Sequence, residues 1–211
     1  MASASYGPFK RVFIPVFLFL ILLNPNFVQA NRGASLFKLC SKCHGDQGEG
    51  NKSLAAPAIS GLPDWYVLGQ LNKFKEGIRG KHASDIAGMR MRAMGRTLNK
   101  EGDVEAVAAF VSNLARTNAS PTLAGDAVAG EQNFAVCMAC HGADAKGNKD
   151  LGAPPLKGSS DWYLLTQLKH FKTGIRGADP VKDALGATMA PMAQMLDDQS
   201  MLNVLAYIQT L

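Results

Sequence analysis

Apolar residues recur along most of the chain with the period of an amphipathic α-helix. In residues 102–114, and again in residues 199–211, apolar side chains stand at spacings of i, i+3, i+4 and i+7, which place them on one helix face. In the first segment they are Val104, Val107, Ala108 and Val111. No stretch shows the sustained alternation or the hairpin turns that a β-sheet requires. The pattern therefore predicts an all-α protein.

Two further helices are predicted from the residues at their ends. Asp64 and Asp161 are typical N-cap residues, so each helix is expected to begin at the tryptophan that follows. Gly77 and Gly174 are expected to end these helices. A short helix is also expected before each of the two cysteine pairs. Loops rich in Gly, Pro and small residues are predicted over residues 45–62 and 142–160.

The N-terminal segment has the pattern of a secretory signal peptide. Lys10 and Arg11 precede the unbroken apolar run Val12–Leu23, and Val28 and Ala30 are small residues where a signal peptidase requires them. This run is shorter than the roughly 20 residues that span a bilayer. We predict cleavage after Ala30 and export to the periplasm. A retained membrane anchor is the alternative.

The chain contains two copies of one unit of about 85 residues. At an offset of 97 positions, GNKSLAAPAISGLPDWYVLGQLNKFKEGIRG faces GNKDLGAPPLKGSSDWYLLTQLKHFKTGIRG. The join, RTNASPTLAGDA, is rich in small residues and indicates a linker. We predict a signal peptide over residues 1–30, an N-terminal domain over 31–117, a linker over 118–128 and a C-terminal domain over 129–211.

All four cysteines lie in two pentads, each a Cys-x-x-Cys pair followed at once by histidine. The first pentad contains Cys40, Cys43 and His44, and the second contains Cys137, Cys140 and His141. A disulfide between positions i and i+3 would close a very small loop and leave the histidine unexplained. A zinc site needs further ligands at characteristic spacing, and a thioredoxin-like redox pair needs a βαβ context. The sequence offers neither.

The fourth interpretation of the pentads is covalent haem. Two thiols one helical turn apart add to the two vinyl groups of a haem, and the next residue, histidine, lies beneath the iron as an axial ligand. Both sulfurs and the imidazole must address one planar macrocycle from one side, which explains the fixed spacing. A haem would also stabilise the thin core of each small unit. The sequence therefore predicts two covalently attached haem c groups.

A sixth iron ligand is expected from methionine. Neither His82 nor His170 has a histidine counterpart in the other copy, so both are interpreted as surface residues, and no cysteine is left over. Comparison of the copies leaves two symmetric methionine pairs, Met91 with Met189 and Met94 with Met192. The residues alone do not choose between these pairs.

The order of the motifs resembles class I cytochrome c. Cys-x-x-Cys-His is followed by Pro-x-(Ile/Leu)-x-Gly, by F-K-x-G-I-R, and by methionine before a Leu-Asn or Leu-Asp step into the last helix. The tandem form with a signal peptide resembles the dihaem cytochrome c-four family of bacterial periplasms, over nearly all of the chain after residue 30. The resemblance implies that Met91 and Met189, in loops seven residues before that leucine, are the sixth ligands. Met94 and Met192 would then pack in the haem pockets.

The resemblance carries over to other residues. The carbonyls of Pro57 and Pro154 would accept the ring N–H of each histidine ligand. Arg79 and Arg176 would hold haem propionates, and a solvated arginine after a helix end is the alternative. We also expect four aromatic side chains to pack a helix against the haem of their half, those of Trp65, Tyr66, Trp162 and Tyr163.

Ligation by histidine and methionine fills both axial positions of an iron, which suits one-electron exchange. The resemblance implies a dihaem electron-transfer protein, not an enzyme, that is peripheral to the membrane. It would pass single electrons between redox partners such as a quinol-oxidising cytochrome bc-type complex and a terminal cytochrome c oxidase. The alternative is a dihaem oxidoreductase with one open iron, either a peroxidase or an enzyme that oxidises sulfur compounds.

The charge of the chain is mild and unevenly distributed. A net charge of +5 does not indicate nucleic-acid binding, which needs a dense basic face. Residues 31–118 hold 13 basic and 8 acidic side chains, whereas residues 119–211 hold 7 and 9. Arg90, Arg92 and Arg96 surround Met91. Because positive charge favours reduced iron, we predict the higher potential for the N-terminal haem, and an acidic partner steered to this patch.

Overall fold

The structure is a computed structural model that describes residues 25–211, with side chains from residue 31 onward. The apolar run of the predicted signal peptide lies outside these residues. Within the described part, no helix has both the length and the apolar character needed to cross a membrane.

The described residues form α-helices joined by loops, and they contain no β-strands, in agreement with the predicted all-α class. In the first half the helices are α1 (Pro25–His44), α2 (Asp64–Glu76), α3 (Ile86–Thr97) and α4 (Asp103–Asn113). In the second half they are α5 (Ala127–His141), α6 (Asp161–Lys172), α7 (Ala184–Ala187), α8 (Met189–Gln194) and α9 (Asp198–Ile208). A 3-10 helix, Lys52–Leu54, lies between α1 and α2.

Each half has its own hydrophobic core, built from matching positions of the repeat. The first core contains residues of α1, α2 and α4 and the residue that follows α3, namely Phe37, Leu71, Leu98, Val104, Val107 and Val111. The second contains Phe134, Ala145, Leu196, Met201, Val204, Leu205 and Ile208. An aromatic pair joins the first and last helix of each half, Phe37 with Phe110 at 5.0 Å and Phe134 with Tyr207 at 5.5 Å. The repeat in sequence is therefore a repeat in packing.

The first and last helices of each half cross at a glycine. A Cβ atom on Gly33 of α1 would lie 2.3 Å from the carbonyl oxygen of Ala106 in α4. A Cβ atom on Gly130 of α5 would lie 2.0 Å from the carbonyl oxygen of Asn203 in α9. These distances are far below van der Waals contact, so only glycine allows the two backbones to approach this closely.

The predicted final helices are confirmed with small shifts at their ends, since α4 begins at Asp103 and α9 ends at Ile208. The N-cap prediction for α2 and α6 is wrong by one residue, because Asp64 and Asp161 are the first helical residues.

Asp161 has a different role. Its carboxylate accepts hydrogen bonds from the Thr122 N–H at 2.5 Å and the Leu123 N–H at 2.8 Å, which holds the segment between the halves.

The segments that carry the candidate methionine ligands are helical, not loops as the resemblance implied. Asp85 begins α3 by accepting a hydrogen bond from the Gly88 N–H at 2.8 Å, and Asp183 begins α7 in the same way through Gly186 at 2.9 Å. In the second half the helix is interrupted at Thr188. Pro191 has no N–H to donate to residue 187, so a continuous helix would lose a hydrogen bond at this point.

The two halves contact each other directly and through the segment that connects them. Arg116 Nη2 donates to the Lys157 carbonyl at 2.6 Å, and the Ala58 N–H donates to Ser160 Oγ at 3.2 Å. The hydroxyl groups of Ser60 and Thr117 are 2.7 Å apart. The domain limits stated above, with a linker over residues 118–128, stay a prediction.

Candidate functional site

The two cysteine pairs lie at the C-terminal ends of α1 and α5, where successive turns present both sulfurs on one side. Cys40 and Cys137 are half-buried against the cores of their halves, whereas Cys43 and Cys140 are exposed. None of the four forms a disulfide. Each pair therefore offers two thiols one helical turn apart, next to a hydrophobic core.

Burial keeps the inner thiol of each pair protonated. It raises the pKa of Cys40, and it raises the pKa of Cys137 to about 11. A thiol of this kind is a poor thiolate ligand for a metal ion. Residues 31–211 also contain no cluster of three or more His, Cys, Asp or Glu side chains that could hold a metal. The donor set favours thioether attachment over a zinc site.

The histidines that follow the cysteines are buried and held in one orientation. His44 is 6% exposed and His141 is 5% exposed. In each ring Nδ1 lies 2.8 Å from a proline carbonyl oxygen, that of Pro57 or of Pro154. A carbonyl can only accept a hydrogen bond, so Nδ1 carries the proton and Nε2 keeps a free lone pair. The predicted contact of each histidine with a proline carbonyl is confirmed.

Burial also keeps these histidines neutral. It lowers the pKa of both His44 and His141, and the hydrogen bond to the proline carbonyl only partly offsets this effect. A neutral imidazole with a free Nε2 is the form that binds a metal ion. Two thiols and one such imidazole per half fit the attachment of a haem c, in which the iron accepts the imidazole nitrogen.

A tight loop brings each proline to its histidine. The Gly50 N–H donates to the His44 carbonyl at 2.7 Å, and the Gly147 N–H donates to the His141 carbonyl at 2.8 Å. Both glycines have positive φ, 89° and 83°. A Cβ atom on Gly50 would lie 2.5 Å from the Ala58 nitrogen. The glycine-rich character of the loops is therefore a requirement of the site.

The candidate methionine ligands differ in their surroundings. Met91 of α3 is half-buried and packs against the same core as Cys40, whereas Met94 is 39% exposed. Met189 and Met192 of α8 are both half-buried. Neither belongs to the second core as Cys137 does. Burial thus distinguishes the two candidates in the first half of the chain only.

Arg79 and Arg176 lie between the halves, not in solvent. Arg79 is 6% exposed, and its guanidinium group stacks over the Phe74 ring at 4.3 Å. Arg176 stacks in the same way over Phe171 at 4.5 Å, and its Nε is buried without a hydrogen-bond partner in the described residues. The alternative of a solvated arginine is therefore wrong. A buried donor of this kind suits a carboxylate.

Sequence reasoning missed the polar residues that link the halves. Gln70 and Gln167 each accept hydrogen bonds from both arginines, and Lys73 forms an ion pair with Asp183. The glutamines stand 97 positions apart, in register with the repeat. That register was the available signal. A polar residue on a helix usually indicates a solvated face, so the signal was not specific.

Comparison with known proteins agrees with this geometry. The family model for cytochrome c matches residues 30–115 and again residues 127–211. Among curated relatives, the Cbb3-type cytochrome c oxidase subunit FixP of Sinorhizobium medicae is 33% identical over 172 residues, which is 75% of this chain and 57% of that protein. The thiosulfate dehydrogenase electron acceptor of Thiomonas intermedia is 31% identical over 172 residues, which is 76% of this chain and 73% of that protein.

Two solved structures are similar over most of the chain. Reduced recombinant cytochrome c4 from Pseudomonas stutzeri has a TM-score of 0.69 at 26% identity, and the match covers 86% of this chain and 98% of that one. Thiosulfate dehydrogenase from Marichromatium purpuratum has a TM-score of 0.71 at 28% identity, and the match covers 86% of this chain but 40% of that one.

These matches differ in how much of each relative they account for. The chain spans little more than half of the FixP subunit and less than half of the dehydrogenase chain, but it spans nearly all of cytochrome c4. Both family-model regions contain a Cys-x-x-Cys-His pentad, one with Cys40 and Cys43 and the other with Cys137 and Cys140. The chain therefore belongs to the cytochrome c family, as a tandem member with two covalently attached haem c groups.

Proposed function

We propose that the protein is a dihaem electron carrier in which each iron is held between a histidine and a methionine. His44 and Met91 would serve the first haem. His141 and Met189 would serve the second haem. An iron with both axial positions filled supplies one-electron exchange without an open position for a substrate.

The observation that carries this proposal is the state of the two histidines. Each is buried, neutral and oriented by a 2.8 Å contact from Nδ1 to a proline carbonyl. Such a contact directs Nε2 toward one position and raises its basicity as a ligand. Met91 supports the assignment in the first half because it packs against the core that also contacts Cys40. Met189 is assigned as its counterpart in the repeat.

The methionine assignment is tested by two paired substitutions. A ferric haem with a methionine ligand has a charge-transfer absorption band. We expect Met91→Ala to abolish this band in one haem. We expect Met189→Ala to abolish it in the other haem. Met94→Ala is the control, because its side chain is 39% exposed and should leave the absorption unchanged. Loss of the absorption in Met94→Ala but not in Met91→Ala would reverse the assignment.

For the physiological role, we infer a periplasmic protein, peripheral to the membrane, that carries electrons between a quinol-oxidising complex and a terminal oxidase. The relatives support an electron-carrying role, since one is named as an oxidase subunit and another as an electron acceptor. The match to cytochrome c4, which covers 98% of that chain, supports the same role. Reduction of the purified protein by a bc-type complex and its oxidation by membranes that contain a cytochrome oxidase would test this role.

A dihaem oxidoreductase is the second candidate, and one observation favours it. The chain is similar in structure to thiosulfate dehydrogenase over 86% of its length. An enzyme of this type would need an open or exchangeable axial position on one iron. Carbon monoxide discriminates between the candidates, because it binds only where an axial position of ferrous haem is free. We expect no rapid spectral change in the native protein. A rapid change in half of the haem would favour the enzyme.

A further inference from the structure

The segment with the candidate methionine ligands is less continuous in the second half than in the first. In the first half it is one helix of 12 residues, α3. In the second half it is divided into α7, with four residues, and α8, with six; we call residues 184–194 the methionine segment. A helix of four residues has too few internal hydrogen bonds to be stable alone. The methionine segment therefore depends on contacts from outside it.

The C-terminal end of the methionine segment is held by its own half. Gln194 Nε2 donates to the Lys172 carbonyl of α6 at 2.6 Å, and the Lys172 ammonium group donates to the Leu196 carbonyl. The first half has the matching contact, from Lys75 Nζ to the Leu98 carbonyl at 2.6 Å. This end is built alike in both copies.

The N-terminal end is held by the other half. Lys73 of α2 places Nζ 2.5 Å from Oδ1 of Asp183, and the same oxygen accepts the Gly186 N–H at 2.9 Å, which begins α7. The Asp183 side chain is 2% exposed, so water has little access to replace the lysine. A Cβ atom on Gly186 would lie 2.2 Å from Oδ2 of this carboxylate. The carboxylate is thus packed tightly between the lysine and the backbone of α7.

The first half lacks this arrangement. Asp85, the counterpart of Asp183, begins α3 and is only half-buried. The residue in register with Lys73 is His170, and residues 31–211 contain no ion pair between His170 and Asp85. The ion pair across the boundary therefore occurs in the copy whose helix is divided, where outside support is needed.

A short path of hydrogen-bonded backbone joins Asp183 to Met189. Thr188 ends α7 and directly precedes α8, of which Met189 is the first residue. The Thr188 N–H donates to the Ala184 carbonyl at 3.3 Å, and its hydroxyl donates to the Leu185 carbonyl at 2.8 Å. A displacement of α7 would therefore displace Met189 as well.

We propose that Lys73 is a positioning residue for the sixth ligand of the second haem, because its ion pair with Asp183 fixes the start of the segment that carries Met189. This inference rests on the proposed ligation of the second iron by methionine, and it adds that the ligation depends on a residue of the other half. Loss of the lysine should let the methionine leave the second iron more often, while the first haem keeps its ligand.

The test is a titration of the ferric holoprotein with imidazole, which binds an iron that methionine has left. The apparent affinity for each haem rises with the fraction of that haem without methionine. We expect Lys73→Met to raise the affinity of one haem by about tenfold, as for loss of a partly buried ion pair. The affinity of the other haem should stay at its wild-type value.

Two controls separate positioning from general effects. Lys81→Met removes the same charge from an exposed position in the same half. Gly130→Ala disturbs the second half at the crossing of α5 and α9, outside the methionine segment. Neither should change the imidazole affinity of either haem. A rise in either control comparable to that in Lys73→Met would assign the effect to charge or stability alone, and would overturn the proposal.

A second variant keeps the test valid if Lys73→Met does not fold. Asp183→Asn retains an oxygen that can accept the Gly186 N–H, so α7 keeps its first hydrogen bond and loses only the ionic contact with Lys73. We expect a rise in the imidazole affinity of the same haem, smaller than in Lys73→Met. The proposal is wrong if the affinity is unchanged in Lys73→Met, or in Asp183→Asn where Lys73→Met does not fold.

Met189→Ala separates this proposal from the proposed function. It should raise the affinity of the same haem at least as far as Lys73→Met, and the two substitutions combined should give no more than Met189→Ala alone. A rise in Met189→Ala without one in Lys73→Met would keep the ligand and overturn the positioning role. A rise in Lys73→Met without one in Met189→Ala would support the positioning role and move the ligand to Met192.

Discussion

Lys73 and Asp183 come from different halves of the chain and form an ion pair, with 2.5 Å between Nζ and Oδ1. The Asp183 side chain is 2% exposed, and the same carboxylate accepts the Gly186 N–H that begins α7. One carboxylate thus caps a helix of the second half and binds a lysine of the first. The counterparts of this pair in the repeat are His170 and Asp85, so the repeat does not duplicate the lysine.

Removal of this lysine should weaken the protein. In Lys73→Met a buried carboxylate would lose its counter-ion, which costs 3–5 kcal/mol for a fully buried pair. The Lys73 side chain is 20% exposed, so we expect a smaller loss, about 2 kcal/mol in the free energy of unfolding measured with urea. Lys81→Met, at an exposed lysine of the same half, is the control. Equal stability of the two variants would contradict the prediction.

The helix crossing at Gly130 should not tolerate a side chain. Gly130→Ala would place a Cβ atom 2.0 Å from the Asn203 carbonyl oxygen, so α5 and α9 would have to separate. We expect a loss of about 1–3 kcal/mol in the free energy of unfolding. Gly69→Ala is the matched control, because a Cβ atom there meets nothing within 4 Å. That variant should gain up to about 1 kcal/mol from helix propensity, and equal effects at both sites would contradict the prediction.

Asp161 should make part of the stability depend on pH. Burial alone would raise the pKa of its carboxyl group, but hydrogen bonds from Thr122, Leu123 and Trp162 outweigh burial and lower it. A pKa that is lower in the folded state gives stability above the ordinary carboxyl pKa, and this stability is lost as the pH falls through the folded value.

Asp161→Asn should therefore cost about 1–3 kcal/mol at neutral pH, measured by urea unfolding. The difference from the wild type should shrink as the pH is lowered from about 5 to below about 3. Asp150→Asn, at an exposed carboxylate, should show no such convergence. A wild-type advantage that persists at low pH would contradict the role given to Asp161.

The arginines near Met91 should raise the potential of the first haem to different degrees. Arg92 is half-buried, packs near Gly77, and has a buried Nε without a partner in the described residues, whereas Arg90 is exposed. Solvent screens an exposed charge more than a buried one. We expect Arg92→Gln to lower the midpoint potential of the first haem by an amount that corresponds to a free energy on the order of 1 kcal/mol for one electron. Arg90→Gln should lower this potential less. An unchanged potential in Arg92→Gln would end this account.

The same helix offers a contact surface for an acidic partner. Arg90 and Arg96 are exposed on α3, together with Ile86 at 64% and with Met89 and Met94 at 39% each. The corresponding part of the second half, α7 and α8, has no basic residue. The rate of electron exchange with an acidic redox protein should therefore fall as salt rises, and more weakly in Arg90→Gln. A salt dependence that is unchanged by the substitution would contradict this surface.

Local features of the chain were sufficient for the fold class and for the haem attachment. Helical periodicity shows in neighbours three and four positions apart, as with Val104, Val107 and Val111. Cys40, Cys43 and His44 lie within one helical turn and a half, so their spacing alone carries the chemistry. The contact between His44 and Pro57 also followed from the family pattern. Each of these depends on residues that are close in the chain.

The structure of the methionine segments could not be deduced in the same way. Met91 and Met94 are equivalent by repeat symmetry, and only packing against the core distinguishes them. Their segment is a helix begun by Asp85, although the family resemblance had implied a loop. The interruption of the matching helix at Thr188 depends on one proline, a local signal that sequence analysis did not use.

By itself, the sequence determined a helical tandem protein with two sites for covalent haem, because the repeat and both pentads are patterns of near neighbours. Only the tertiary structure decided that Arg79 donates to Gln167 and Arg176 to Gln70. These residues are 88 and 106 positions apart, and neither the helical period nor the repeat predicts a contact between them. Their contact exists only because two separately packed cores place α2 and α6, each with the arginine that follows it, beside each other, and that placement depends on the shape of both surfaces together.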